Sequence, residues 1–239
     1  MKRFSKFLKN FFVLFVIISV GWVIFYRFVP VFVTPLMLIR SVETISDGEV
    51  PKINKRWVPI EKISPNMIQA AVAAEDDQFM EHHGFSFEAI NKAIEHNKRS
   101  RRIRGGSTIS QQTAKNVFLW PHRSYLRKGL EAYFTVLIEL FWTKERIMEV
   151  YLNVIETGDG IYGIEAASMK YFGKHASKLT KSEAALIAAC LPNPRRFNPA
   201  HPSPYILRRQ AAIMRMMGKI SPVEFHKTSL PKKTKHKHR

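Results

Sequence analysis

The chain has 239 residues, of which 46% are hydrophobic and 24% are charged, so it can form a sizeable folded domain and is not disordered throughout. Lys and Arg number 38 against 19 Asp and Glu, which gives a formal charge of +19. A single cysteine, Cys190, excludes an intramolecular disulfide framework and a multi-cysteine zinc site.

The positive charge is concentrated in three segments. Four basic residues lie in residues 1–10, five in residues 98–104 and six in residues 226–239. This clustering favours contact with an anionic surface or ligand over a uniformly cationic fold. A membrane-bound nucleic-acid-binding protein is one class with such a charge, but the sequence contains no known nucleic-acid-binding motif.

The N-terminal segment predicts a membrane anchor. Phe11–Tyr26 is free of charge, and the apolar character resumes after Arg27. As a helix, residues 11–33 would span about 35 Å, which exceeds a hydrocarbon core of about 30 Å. A cleaved signal peptide needs small residues at its cleavage site, and the first alanine of the chain is Ala70. We therefore predict an uncleaved transmembrane helix over 11–33, with the basic tail 1–10 in the cytoplasm by the positive-inside rule.

Beyond a predicted juxtamembrane linker at 34–54, the pattern is helical. Helix-start signals recur, and no segment alternates long enough to predict more than a few strands. We predict a mainly α-helical domain over 55–226 and a basic, disordered tail over 227–239. The predicted helix starts are Ser64, Ser86, the segment 105–108, Ser124, Thr143, Thr180, Ser203 and Ser221.

The first candidate catalytic residue is Glu75, which ends a run of small apolar residues. A carboxyl at the edge of packed, low-dielectric surroundings has a raised pKa, as a general base requires at neutral pH. A lone Glu after a helix is nevertheless more often solvated than catalytic. Asp76, Asp77, His82 and His83 follow, but their spacing matches no compact metal-ligand motif, so we predict no metal held by the protein.

The second candidate segment is Gly105–Asn116, in which two glycines lead into a hydroxyl-rich helix start. The free N–H groups and the dipole of such a helix can bind an anion. Ser107, Thr108, Gln111 and Lys115 recur at helical spacing and can add to one face. The spacing is not that of a P-loop, and a flexible, serine-capped turn is the alternative.

The third segment places three cations, Arg123, Arg127 and Lys128, close to the carboxylate of Glu131. Arg127 and Glu131 are four residues apart, so a surface salt bridge on a helix is the alternative to a binding site.

In order and spacing, these segments resemble the motifs of family 51 glycosyltransferases, the peptidoglycan polymerases. The resemblance covers about residues 55–220 and is strongest at Gly105–Asn116, where the family motif is complete. It is closest to the monofunctional members, because the only Ser-x-x-Lys match, Ser229–Lys232, contains a proline and does not indicate a transpeptidase domain. The matching segments are Glu75–Gly84, Gly105–Asn116, Arg127–Glu131, Ile147–Asn153, Glu165–Lys174 and Pro192–Pro194.

The resemblance implies a mainly α, lysozyme-like glycosyltransferase domain with two lobes beside a cleft. It also implies an activity, the polymerisation of lipid II into β-1,4 glycan strands with inversion and release of undecaprenyl diphosphate. The alternative is a glycan-cleaving muramidase or lytic transglycosylase of lysozyme-like fold. Such an enzyme needs neither a diphosphate site nor a membrane anchor, so Gly105–Asn116 and the N-terminal segment argue against it.

By the same resemblance, Glu75 is the general base and Glu131 the second carboxylate near the donor diphosphate, which Lys115 and Arg123 bind. The other substrate-binding residues implied are Ser107, Thr108, Gln111, Gln112, Asn116, Asp76, His82, Arg127 and Lys128. No cofactor is required, and Mg²⁺ or Mn²⁺ is compatible with the diphosphate without assigned ligands. The implied partners are lipid II, the growing glycan chain and membrane lipids, with other cell-wall synthesis proteins as candidates and no nucleic acid. The implied location is the bacterial inner membrane.

Overall fold

The computed structural model describes residues 2–99, 105–122 and 124–225, and the fold within these ranges is mainly helical. Arg123, residues 100–104 of the basic segment and the predicted tail 227–239 lie outside them. The helices are α1 (Lys2–Phe28), α2 (Pro35–Ser46), α3 (Pro65–Glu75), α4 (Phe87–Arg99), α5 (Ile109–Phe118), α6 (Tyr125–Phe141), α7 (Lys144–Val154), α8 (Ile164–Phe172), α9 (Lys181–Cys190) and α10 (Pro204–Met217). Short 3-10 turns lie at Ile60–Lys62 and Ala176–Lys178.

Helix α1 is long and apolar enough to cross a membrane by length and composition. Only 11% of its apolar window is buried inside the protein, unlike the core helix of a soluble domain. The helix begins earlier than the predicted span and ends at Phe28 rather than at residue 33. Pro30 explains this end, because proline cannot donate a backbone hydrogen bond and disfavours helical backbone at the preceding residue.

Helix α2 lies within the segment that the sequence predicted as a linker. The Thr34 side chain accepts a hydrogen bond from Met37 N, and Pro35 occupies the first turn, so the helix has an ordinary cap. Met37 is fully buried, while Leu38, Val42 and Ile45 are exposed. The boundaries of α2 are set by the cap and by this one buried residue. Because only one residue is buried, the hydrophobic periodicity of the segment is too weak to predict the helix.

The core lies where two groups of helices meet. Helices α3, α9 and α10 pack together, as do α5, α6 and α7. The predicted helix starts at Ser64, Ser124, Thr143, Thr180 and Ser203 are confirmed as side-chain caps. Cys190 lies at the buried end of α9, and burial raises the pKa of its thiol to about 11.

The helix predicted after Ser221 is wrong, since residues 221–225 are not helical. The side chain of Gln69 on α3 binds this segment from both sides. It donates to Ser221 O at 3.1 Å and accepts from Val223 N at 2.9 Å. These long-range bonds satisfy backbone groups of this segment without a helix, and no local sequence signal reports them.

A small sheet closes one side of the domain. Its strands are β1 (Asn54–Lys55), β2 (Glu156–Gly158) and β3 (Ile161–Tyr162), in the order β1-β3-β2. Strand β3 pairs parallel to β1 and antiparallel to β2. Gly160 joins β2 to β3 with a φ of +66°, and a Cβ there would lie 2.2 Å from Lys52 O, so only glycine fits.

Candidate active site

Glu75 is the last residue of α3, and its side chain is only 16% exposed. Gln112 on α5 donates from Nε2 to Glu75 Oε2 at 2.9 Å, while Arg209 Nη2 on α10 lies 3.9 Å from Oε1. Burial raises the pKa of the Glu75 carboxyl, and the Gln112 hydrogen bond and the charges of Arg209 and Lys115 partly offset this. The environment is the one that the small apolar run before Glu75 predicts. One carboxylate oxygen is fixed, and the other accepts no hydrogen bond from the described part of the chain.

Asp76 and His82 together tie the segment after Glu75 to the start of α5. Ile109 N donates to Asp76 Oδ2 at 2.9 Å, and His82 Nε2 lies 2.8 Å from Asp76 Oδ1. Gly84 N donates to His82 Nδ1, which assigns the proton of the neutral ring to Nε2. The buried carboxylate of Asp76 therefore occupies the positive end of α5, where the sequence predicted a bound anion.

Thr108 and Gln111 are used inside the protein. Thr108 is the N-cap of α5, and it forms a capping box with Gln111. Its hydroxyl also donates to Gly84 O at 2.7 Å, and both residues are buried. Ser107 lies before the cap and is exposed, while Gln112, Lys115 and Asn116 are partly exposed. The face of α5 that is open to a ligand is thus smaller than the predicted one.

A buried ion pair that the sequence analysis missed supports the same segment. Glu139 Oε1 on α6 accepts from Ser110 Oγ at 2.5 Å and from Lys144 Nζ at 2.8 Å. Lys144 Nζ also donates to His82 O at 2.6 Å. The available signal was a single acid within the otherwise apolar second half of α6, because a charge there needs a partner.

Gly84 allows this segment to approach α6 closely. Its φ is +87°, and a Cβ on it would lie 2.7 Å from the Thr135 Cγ2 atom. A side chain at residue 84 would therefore displace the loop that follows Glu75.

Glu131 on α6 is buried, with its side chain 3% exposed. Its two oxygens accept from Arg127 Nη1 at 2.7 Å and from Lys128 Nζ at 2.5 Å. The surface salt bridge considered from the sequence is therefore wrong for Arg127, whose side chain is 10% exposed, although Lys128 is half-exposed. Arg127 Nε is buried and has no hydrogen-bond partner among the described atoms.

Lys115 connects the two carboxylates electrostatically. Burial lowers the pKa of its ammonium group, the charges of Glu131 and Glu75 raise it, and those of Arg127 and Lys128 lower it. The structure therefore brings together Glu75, Gln112, Lys115, Arg127, Lys128 and Glu131 from the end of α3, from α5 and from the start of α6. Glu75 can accept a proton, and the three cations exceed the charge of Glu131.

A concavity in the described part of the protein lies elsewhere. It has a volume of about 730 Å³ and is bounded by α2, residues 49–53 and the β2–β3 hairpin. None of the predicted site residues lines it. The site is thus identified by its converging charges and not by the size of a cavity. Within the described ranges, no cluster of three or more His, Cys, Asp or Glu side chains is arranged to hold a metal ion.

Comparison with known proteins gives a consistent result. The family model described as transglycosylase matches residues 42–218. A protein of Bacteroides thetaiotaomicron is 54% identical over 93% of this chain and 91% of its own length. One of Bdellovibrio bacteriovorus is 57% identical over 87% of this chain and 84% of its own, and one of Pasteurella multocida is 47% identical over 91% and 89%. All three are named biosynthetic peptidoglycan transglycosylase.

The chain belongs to the transglycosylase family, whose domain has a lysozyme-like fold. Its activity is that of a peptidoglycan glycosyltransferase, an enzyme of cell-wall synthesis. The family resemblance and the mainly helical fold expected from the sequence are confirmed.

Proposed function

We propose that this chain polymerises lipid II into β-1,4-linked glycan strands, with inversion at the anomeric carbon and release of undecaprenyl diphosphate. The observation that carries the proposal is the convergence of a buried carboxylate, Glu75, with three cations around a second carboxylate, Glu131. Family membership gives the reaction class, and these residues give it a base and a site for the leaving group.

Glu75 acts as the general base. Gln112 fixes Oε2, so that Oε1 is left to accept from the substrate. As the 4-hydroxyl oxygen of lipid II attacks C1 of the donor sugar, its proton passes to Glu75. The bond between C1 and the diphosphate oxygen breaks on the opposite face, and the electron pair leaves with the diphosphate. Inversion follows from this in-line displacement.

Lys115, with Arg127 and Lys128, stabilises the departing diphosphate. Charge develops on this group as the bond breaks, so cations that meet it there stabilise the transition state more than the ground state. Arg127 and Lys128 lie in the first turns of α6, where the helix dipole is already positive and the first turn contains no acid. This excess of positive charge favours an anionic ligand. Glu131 holds both cations in place, and Arg123, Asn116 and Ser107 are further proposed contacts.

The activity is tested by incubating the purified protein with labelled lipid II. We expect a polymer that lysozyme digests to disaccharide units. Failure to form polymer would contradict the proposal, and release of fragments from preformed glycan would favour the cleaving alternative. A glycan-cleaving enzyme has no diphosphate to stabilise, so the excess of cations over the charge of Glu131 favours the polymerase.

We further propose that α1 anchors the enzyme in the bacterial inner membrane, with its N-terminus in the cytoplasm and the catalytic domain outside. Lys2, Arg3, Lys6 and Lys9 precede the apolar part of α1, and Arg27 is the basic residue of its last turn. Basic residues are retained on the cytoplasmic side of a spanning helix. Lipid II would then reach the site from the outer leaflet of the same membrane.

A C-terminal fusion to a reporter that is active only outside the cytoplasm should be active. Replacing the four basic residues before the apolar segment by Ser should lower this signal, because the orientation depends on them. The measurement is reporter activity normalised to the amount of full-length fusion protein. A silent but stable fusion of the unchanged chain would show that the orientation is wrong.

A further inference from the structure

The end of α1 is fastened to the catalytic domain by side chains that donate to its backbone. Trp142 Nε1 donates to Val23 O at 2.8 Å. Arg146 Nη2 donates to Tyr26 O at 2.8 Å and to Val29 O at 2.6 Å, and its Nε donates to Tyr26 O at 3.2 Å. Just beyond, Lys55 Nζ donates to Phe32 O at 2.8 Å.

Tyr26 O is one of the last four carbonyls of α1, and the carbonyls of Val29 and Phe32 lie just beyond the helix, so these three need partners from outside it. The last four carbonyls of any helix have no intrahelical donor, and water is scarce near the hydrocarbon core. A cation at a helix C-terminus is also favoured by the helix dipole. The catalytic domain therefore provides the hydrogen-bond donors that water would provide to a helix without these contacts. As a result, the end of α1 has one defined orientation relative to α7.

Arg146 is itself held on several sides. Its Nη1 donates to Glu149 Oε1 at 2.7 Å, and its guanidinium lies 5.2 Å from the centre of the Trp57 ring. The side chain is 12% exposed. The guanidinium is planar and its donors point in fixed directions. Its contacts therefore fix the orientation of the end of α1 relative to α7, which a single flexible contact would not do.

Helix α1 is connected to the candidate active site through α7 and α6. Arg146 lies on α7, which packs against α5, the helix that carries Gln112 and Lys115. A second contact, 2.7 Å between the hydroxyl oxygens of Ser19 and Tyr133, joins α1 to α6, the helix of Glu131. Helices α5 and α6, which contribute the cations of the site, are thus both connected to α1, α5 through α7 and α6 directly.

We propose that Arg146 is a positioning residue that makes α1 and the catalytic domain one rigid unit, so that the site keeps a fixed height and angle over the bilayer. The inference rests on the proposed function, in which donor and acceptor diphosphates both lie at the membrane surface. A displacement of about 1 Å in a reacting group can cost on the order of 100-fold in rate. A loose joint would therefore impair the reaction at a membrane but not in a micelle, which imposes no plane.

The test compares Arg146→Ala with the unchanged enzyme on the same lipid II in phospholipid vesicles and in detergent micelles. We expect kcat/KM of Arg146→Ala to fall by at least about tenfold in vesicles and to stay near normal in micelles. Arg146→Lys should recover part of the loss, because an ammonium can still donate to one carbonyl. The matched control is Arg215→Ala, which removes an exposed arginine of α10.

Two further measurements separate positioning from instability. Thermal melts should show that both variants are folded. If Arg146→Ala does not fold, Arg146→Lys is used for the comparison between vesicles and micelles. Amide exchange should accelerate at residues 31–34 and stay unchanged in α5. Equal losses in vesicles and micelles, or no loss in vesicles, would overturn the inference. An unchanged enzyme that forms no polymer in either medium would instead refute the proposed function.

Discussion

Replacing Glu75 by Gln should abolish glycan polymerisation while leaving the fold intact. The carbonyl of the substituted amide can still accept from Gln112, so the side chain keeps its position but can no longer take the proton of the acceptor hydroxyl. General-base catalysis typically contributes about 10²–10⁴-fold. The measurement is polymer formed from lipid II, with Glu224→Gln, an exposed position, as the matched control.

The same substitution should raise the thermal stability at neutral pH. Burial raises the pKa of Glu75 in the folded state, so the folded protein prefers the protonated carboxyl. Ionised Glu75 therefore costs stability once the pH exceeds its unfolded pKa, and the cost is complete above the folded pKa. Gln removes this cost. The difference in Tm between Glu75→Gln and the unchanged enzyme should vanish at a pH below both the folded and the unfolded pKa of Glu75. There the carboxyl is protonated in the folded and in the unfolded state.

The pH profile provides a further check on the role of Glu75. Since the base must be ionised, kcat/KM of the unchanged enzyme should fall with acid around the raised pKa, at a pH above that of an ordinary Glu at about 4.3. Near-normal turnover by a folded Glu75→Gln variant would show that another group takes the proton.

Lys115→Ala should lower single-turnover release of undecaprenyl diphosphate by at least about 100-fold at saturating lipid II. A preorganised donor to a developing charge is worth on the order of 3 kcal/mol. Lys115 lies on α5, the charges of Glu131 and Glu75 raise the pKa of its ammonium, and burial lowers it. An incoming diphosphate would restore the favourable surroundings of this charge.

Lys115→Arg should also impair the release step, because a planar guanidinium does not replace a compact ammonium at this partly exposed position. Arg123→Ala should weaken the same step. The double variant should be less than additive if both side chains act on one diphosphate. Lys235→Ala in the basic tail is the control and should leave the chemistry unchanged. If Lys115→Ala changes only KM, the residue contributes uniform binding and not transition-state stabilisation.

Local signals predicted the helices well, since a cap such as Thr143 or Thr180 acts within three residues of itself. They also predicted a carboxyl at a packed edge, because the apolar run and Glu75 are adjacent in the chain. The role of Asp76 was not predictable in this way. Its carboxylate caps Ile109 N, 33 residues further on, and only the tertiary packing that places the end of α3 beside the start of α5 brings the two together.

Glu131 shows the same limit in another form. The spacing to Arg127 predicts an ion pair equally well on a surface or in the interior. Burial decides between a pair of little consequence and a strongly held one, and burial depends on which face of α6 meets α5. The burial of Met37, the one buried residue of α2, is likewise a product of tertiary packing.

The buried thiol of Cys190 has a practical consequence for labelling. Burial raises the pKa of this thiol to about 11, so the reactive thiolate is scarce at pH 7, and the side chain is enclosed at the end of α9. The natural chain is therefore already close to a cysteine-free background for maleimide chemistry. A cysteine introduced at Tyr125, which is fully exposed at the start of α6, would accept a fluorophore selectively. Quenching of this fluorophore by quenchers attached to lipids would then report the distance between the start of α6 and the bilayer, with no other cysteine to remove.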